Sequence, residues 1–302
     1  MTSEDLSYEQ LKKEIKRLKR KRSSQVNLVW KRFTKNRLAL IGFIMVSIVI
    51  FMAIFSPIVS PYDPYKTNPL ERFKPPSMKH ILGTDALGRD VFSRLVYGSR
   101  IALEIGALIV LFEGMIGISL GLISGYFGGV VDKVIMWLVD VLRSFPIVVL
   151  ALAIAGILGQ GVINVVIALG TVGWTSYARM VRSKVLTIKE LDYIEAARSI
   201  GESNLSIILR YVFPNVLPTV IVMVYLMMPT ALIASATLSF LGLGVQPPTA
   251  DWGSIIAEGR MYLLKAPWIS TSAGFFIMFT VLGFNFIGDG LRDALDPTSR
   301  RN

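Results

Sequence analysis

Apolar residues fall into six long runs separated by polar intervals of very different character. The runs cover roughly Leu38–Val59, Ile101–Ser124, Val134–Leu158, Val162–Val181, Leu217–Leu241 and Trp268–Ile287. A bilayer core needs about 20 helical residues to cross it. The pattern therefore predicts an all-α polytopic membrane protein with six transmembrane helices. Gly117, Gly121 and Gly125 recur at four-residue intervals in the second run, a small-residue ridge suited to close helix packing. Pro146 predicts a kink in the third span.

The polar intervals set the organisation. Residues 1–37 form a basic N-terminal segment with twelve Lys and Arg against four acids. Leu11, Ile15 and Leu18 share a helical face there, which reads as a membrane-surface helix or as a solvated tail that only fixes orientation. No signal-peptide cleavage pattern is present. Residues 38–59 are the first span and 60–100 a proline-rich polar loop. Residues 101–290 hold the other five spans, and 291–302 form a polar tail. The interval Thr187–Pro214 stands out inside the core. Thr187 with Glu190 reads as a capping box, and Gly201 reads as a helix stop. Ser203 is placed to start a second short helix that Pro214 ends. Spacing puts Tyr193, Ala196, Ala197 and Ile200 on one face, with Asp192, Glu195, Arg198 and Ser199 elsewhere. The expected product is a helical hairpin between spans, built to dock onto something.

Composition agrees with a membrane protein: 53% of the 302 residues are hydrophobic and the mean hydropathy is +0.56. The net charge of +11 could suggest nucleic acid, but the basic residues flank the spans, which reads as topology and lipid contact. With both termini inside, 23 Lys and Arg lie on the inner side and nine on the outer. That bias predicts cytoplasmic termini and puts the Thr187–Pro214 hairpin inside the cell. Cysteine is absent, which removes disulfides and thiolate metal sites.

Chemistry is sparse. No glycine-rich phosphate loop ends in Gly-Lys-Ser/Thr, so ATP hydrolysis by this chain is not expected. No catalytic constellation and no metal site can be assembled from a single histidine and no cysteine. That histidine, His80, reads as a surface loop residue, with metal ligation or pH sensing as the alternatives. Glu104 and Glu113 fall within the second span, where ionisable groups usually face a bundle interior or a wet cavity. Glu104 reads as an interfacial residue neutralised by Arg100. Glu113 reads equally as pathway lining or as a locally satisfied group. Asp140 and Arg143 are spaced to pair on one helix. Asn164, Trp174 and Asn285 are candidates for lining a passage or for interhelical hydrogen bonds.

Glu195-Ala196-Ala197, three residues, Gly201, then Tyr211-Val212-Phe213-Pro214 resembles the EAA loop of ABC importer permeases, with two apolar identities changed and the spacing kept. Gly83-Thr84-Asp85, two residues, Gly88-Arg89-Asp90 resembles an outer-loop signature of the second permease of dipeptide, oligopeptide and nickel importers. Gly288-Asp289-Gly290-Leu291-Arg292-Asp293-Ala294-Leu295-Asp296-Pro297, Ser239–Gly244 and Trp252-Gly253 fit the same family. The resemblance runs from about Val29 to Arg300.

The resemblance implies a type I ABC importer permease fold with a cytoplasmic coupling helix. Asp192, Tyr193, Glu195, Ala196, Ala197, Gly201 and Pro214 would then contact an ATP-binding subunit. The implied partners are a homologous permease forming a heterodimer, two ATP-binding subunits that hold ATP and magnesium, an extracytoplasmic substrate-binding protein and the lipid bilayer. The implied location is the bacterial or archaeal plasma membrane. The cargo expected is a dipeptide or oligopeptide, with nickel or an oligosaccharide as alternatives. An ATP-independent channel or ion-coupled carrier would instead need a filter sequence or a run of mid-depth acids, and the spans are poor in both.

Overall fold

Asn36 starts the first long helix. Its side-chain oxygen accepts from the backbone N–H groups of Leu38 and Ala39 at 3.1 and 3.2 Å, supplying partners that a helix N-terminus lacks. The computed structural model describes residues 29–295, so the face of Leu11, Ile15 and Leu18 and the final Asp296-Pro297 lie outside the described residues. Among the described residues the fold is helical, with no strand beyond an isolated bridge between Thr84 and Asp90.

Helix α1 spans Arg37–Ile54, and a short helix α2 follows at Ser56–Val59. The expected single run to Val59 is interrupted at Phe55, because Pro57 has no N–H with which to continue the helix. Helix α3, Val91–Phe127, has 37 residues and is the longest. At 1.5 Å per residue it is about 55 Å long and outreaches a bilayer core. The Asp90 carboxylate caps it by accepting from Ser93 N at 2.8 Å, and Gly128, at φ +65°, ends it.

The third expected span is broken rather than kinked. Helices α4 (Gly129–Arg143) and α5 (Ile147–Leu158) meet at 88° across Ser144-Phe145-Pro146. Helix α6 is Val162–Ile188. Its start is braced by Asn164, whose amide donates to the carbonyls of Leu158, Gly159 and Gln160 at 2.9–3.3 Å. Short helices α7 (Asp192–Ser199) and α8 (Asn204–Ile207) form the hairpin. A π turn, Ile208–Val212, carries α8 into α9 (Phe213–Phe240). Pro214 therefore does not end a helix. It sits in the first turn of α9, where a missing N–H is tolerated. After α10 (Trp252–Gly259) comes α11 (Trp268–Leu295).

Helices α1, α3, α11 and the continuous run Asn204–Phe240 are each long and apolar enough to cross a membrane, and α4 with α5 makes a fifth if the bent pair is one span. By length and composition that is five spans at most among the described residues, against the six expected. Helix α6 has the length at 27 residues, but Thr171, Trp174, Thr175, Ser176, Tyr177 and Arg179 dilute its apolar run.

Helix α6 packs closely against α3. The glycine ridge of α3 lies directly on α6. A Cβ on Gly117 would stand 2.4 Å from the Trp174 carbonyl oxygen, one on Gly121 2.8 Å from that of Ala178, and one on Gly125 2.7 Å from Val185 Cβ. Only glycine permits that approach, as a small-residue interface requires. The α1–α11 contact uses the same device, with Gly42 set against Gly283.

Candidate functional site

Three places gather the residues singled out in the sequence: a polar knot in the 60–100 loop, the hairpin at the opposite end of α3, and a small cavity between them.

In the knot, Gly83 (φ +71°) and Gly88 (φ +74°) turn the chain so that Asp85 faces its neighbours. The Asp85 carboxylate accepts from the backbone N–H of Leu87 and Arg89 at 2.8 and 3.0 Å. It also accepts from Arg89 Nε at 2.6 Å and Arg94 Nη1 at 2.7 Å. Both arginines continue to Glu258 on α10, each at 2.7 Å. Asp85, Arg89 and Arg94 are all buried. Buried charge is tolerable only when paired and hydrogen-bonded, and here two cations meet two anions. Gly88 could carry no side chain, since a Cβ would lie 1.8 Å from the Asn68 carbonyl oxygen.

The rest of the loop closes around this core. Thr84 Oγ1 accepts from Lys74 N at 2.8 Å, and Trp268 Nε1 donates to the Thr84 carbonyl at 3.2 Å. Asp90 accepts from Ser93 and faces His80 Nδ1 at 2.9 Å. His80 is thus not a surface residue. It is buried, with Nε2 3.3 Å from Glu71. Hydrogen bonds from Lys79, then Lys74 and His80, hold the Glu71 carboxyl down to about 2 against the opposing effect of burial. On α10, Asp251 caps the helix by accepting from Ser254 N at 3.0 Å, and burial pushes its carboxyl above the usual range. Trp252, also buried, donates to the Leu95 carbonyl at 3.0 Å and fastens α10 to the top of α3.

The hairpin has the opposite character. Its stop is as expected: Gly201, at φ +81°, closes a Schellman turn in which Glu202 N donates to Ala197 O at 3.1 Å and Gly201 N to Arg198 O at 3.0 Å. Ser203 caps α8 by accepting from Ser206 N at 3.3 Å. The capping box fails. Thr187 lies inside α6 and donates to the Ser183 carbonyl, and Leu191 precedes α7 without a side-chain cap. The expected apolar face also divides. Ile194 and Ala197, three residues apart, are buried and pack with Val185, Ile188, Ile207 and Val212. Tyr193, Ala196 and Ile200 stay exposed, Ile200 at 78%. Leu205 and Leu209 are exposed beside them, and Asp192 and Glu195 are exposed on the same short helix.

The buried side of the hairpin is fastened to the ends of the long helices. Tyr126, near the end of α3, donates to Asn204 Oδ1 at 2.9 Å, and the Arg198 guanidinium lies 5.2 Å from the centre of the Tyr126 ring. Glu202 accepts from Tyr211 and Ser206, both at 3.2 Å. The buried side of α7 thus rests on the ends of α3 and α6.

Of the residues considered for a passage, Glu113 borders a cavity of about 40 Å³ between α3, α5, α6 and α9. Asn164 is taken up by the turn before α6, and Trp174 is buried against Val139 and Ala178. Asn285 is half-buried on α11. Glu104 is exposed and forms no ion pair with Arg100 among the described residues. Asp140 and Arg143 do not pair with each other: Asp140 accepts from Arg179 at 2.6 Å, and Arg143 donates to Ser176 at 3.3 Å. Sequence reasoning does not find Arg94, Glu258, Glu71 or the buried place of His80. The available signal is local: Asp85 and Arg89 are four apart, and Arg94 follows the cap residue Asp90 by one helical turn.

The helical core, with a polar hairpin at one end of α3 and a knotted loop at the other, is the fold of a membrane transport subunit. The chain belongs to the family of binding-protein-dependent transport system inner membrane components, which matches residues 117–301, and residues 24–76 match the N-terminal TM domain of oligopeptide transport permease C. It is a multi-pass membrane protein and an ABC importer permease. It is 43% identical over 268 residues to the dipeptide transport system permease protein DppC of Alkalihalophilus pseudofirmus, covering 89% of this chain and 88% of that one. It is 41% identical to the glutathione transport system permease protein GsiD of Pectobacterium atrosepticum, covering 89% of each. It is 39% identical to the oligopeptide transport system permease protein OppC of Bacillus subtilis, covering 90% and 91%. An inward-facing structure of the MetNI methionine ABC transporter superposes with a TM-score of 0.56 over 68% of this chain and 98% of that one, at 20% identity, a likeness of fold.

Proposed function

We propose that this chain pairs with a homologous permease to form the path by which peptides enter the cell, driven by two ATP-binding subunits that dock on the hairpin. The observation that carries this reading is the exposed stripe Tyr193–Ala196–Ile200, flanked by Asp192 and Glu195, on a hairpin whose other face is fixed to the long helices. Exposed apolar residues grouped beside charge are the anatomy of a protein interface. Small Ala196 lets a partner surface approach, and Glu195 offers it a carboxylate.

Closure of the ATP-binding subunits would then move both hairpins and switch the membrane helices between inward-open and outward-open states, and hydrolysis would reset them. ATP and magnesium belong to those partners, and this subunit performs no chemistry of its own. The excess of Lys and Arg at one side argues for cytoplasmic termini in a bacterial or archaeal plasma membrane. A substrate-binding protein would deliver cargo from outside. Peptide is the cargo that dipeptide, oligopeptide and glutathione permease relatives suggest.

Co-purification tests the docking. The tagged wild-type chain should bring down an ATP-binding subunit, and Glu195→Ala combined with Gly201→Ala should lose that subunit or uncouple its hydrolysis from transport. Stable assembly together with coupled transport in that double variant would overturn the assignment.

A further inference from the structure

Glu113 combines burial with the lack of a cationic partner, whereas Glu104 of the same helix is exposed. Asp132 and Asp140 are each paired with an arginine, Arg182 and Arg179. Glu113 has no cation within 4.0 Å among the described residues and is buried, at 8% exposure. It lies near the middle of the apolar run Ile101–Ser124. Its carboxylate presses on α6 at Gly173, where a Cβ would stand 1.8 Å from Oε1, so glycine is what gives the carboxylate room.

The cavity beside it has apolar walls from Ile109, Leu169 and Met227. Its more accessible side carries Ser176, half-buried, and Thr230, exposed. Thr230 follows Pro229, which has no N–H to give to the carbonyl one turn back. Tyr177, one turn beyond Gly173, is fully buried, its hydroxyl has no hydrogen-bond partner, and its ring lies 4.0 Å from where a Cβ on Gly114 would be. A space of about 40 Å³ holds a few water-sized groups and no peptide.

A carboxylate in a low-dielectric interior needs a proton or a cation. An ammonium head is close to water in size, carries that charge, and donates three hydrogen bonds. We propose that Glu113 accepts the free amino group of the cargo peptide in transit, with the hydroxyl of Thr230 as a second acceptor. The proposal rests on the reading of the chain as a peptide permease and adds the chemical feature of the cargo that the subunit itself senses.

The test uses the assembled importer and dicyclohexylcarbodiimide, an apolar reagent that adds to carboxyls in apolar surroundings, with adducts mapped by mass spectrometry. Glu113 should be modified in the absence of cargo. Alanylalanine should suppress that modification several-fold, and N-acetylalanylalanine should not. Equal modification with both peptides, or equal protection by both, overturns the proposal. A second arm measures alanylalanine uptake alongside ATP hydrolysis stimulated by the binding protein. Glu113→Gln should lose uptake while keeping stimulation, and Glu113→Asp should recover part of the uptake. Undiminished uptake by Glu113→Gln overturns the proposal whatever the labelling shows. Retention of the ATP-binding subunits in every variant separates these outcomes from a failure of the docking assignment.

Discussion

The loop knot and the hairpin use polar and apolar residues in reversed roles. In the knot, charged groups are buried and satisfied: Asp85, Arg89 and Arg94 are almost inaccessible, and both arginines bridge Asp85 to Glu258. In the hairpin, apolar groups are exposed: Tyr193, Ile200, Leu205 and Leu209 all face outward. A closed network of charges fixes a loop, because removing any member strands the others. An open apolar stripe leaves an interface incomplete, because its burial requires a second molecule. The first region is thus built to hold still, and the second, on the proposed docking, to be held.

Substitutions can separate the two kinds of region. The largest effect is expected at the knot. Arg94→Ala leaves Asp85 buried with one cation fewer and should cost about 3–5 kcal/mol, read as a lowered unfolding temperature of the purified importer. Next come two glycines with the same backbone sign. A Cβ placed on Gly201 would meet nothing within 4 Å, so Gly201→Ala should cost only left-handed strain, about 1–2 kcal/mol. Gly88→Ala adds a collision with the Asn68 carbonyl and should cost more. Equal losses of thermal stability in the two variants would break the distinction.

Ile200→Gln should change stability by no more than about 0.5 kcal/mol, since Ile200 is 78% exposed. The same change should nonetheless weaken retention of the ATP-binding subunit on a column, a loss of assembly without a loss of fold.

The smallest effect is the response of the knot to acid. Glu71 is held at about 2, below its ordinary 4.5, so its contribution is complete above about 4.5 and is lost as pH falls toward 2. Hydrogen exchange over residues 68–90, corrected for intrinsic rate, should be flat from pH 7 to 5 and rise below 4.5.

Much of this architecture is legible in the sequence. The apolar runs locate the long helices, the Gly117–Gly121–Gly125 spacing locates the α3–α6 contact, and the Glu195–Gly201 spacing locates the hairpin. What is not legible has physical causes. The knot joins Arg89 to Glu258 across 169 positions, and no local pattern encodes such a pairing. The hairpin face departs from expectation because apolar spacing does not guarantee burial: Tyr193, Ala196 and Ile200 share the spacing and are left outside. The 88° break at Ser144-Phe145-Pro146 exceeds what a proline kink alone suggests. Helix α6 hides its length behind polar residues, among them Ser176 and Arg179, which bond to Arg143 and Asp140 of α4.

The docking role of the hairpin is the central claim, and the absence of native cysteine makes it directly measurable. A single Ala196→Cys substitution would carry a benzophenone photocrosslinker in the assembled importer, with Met78→Cys, fully exposed in the 60–100 loop, as the control. The account predicts that position 196 crosslinks to the ATP-binding subunit, with a yield that changes when ATP is added, and that position 78 does not crosslink to it. No adduct from position 196, or an equal adduct from position 78, would contradict it.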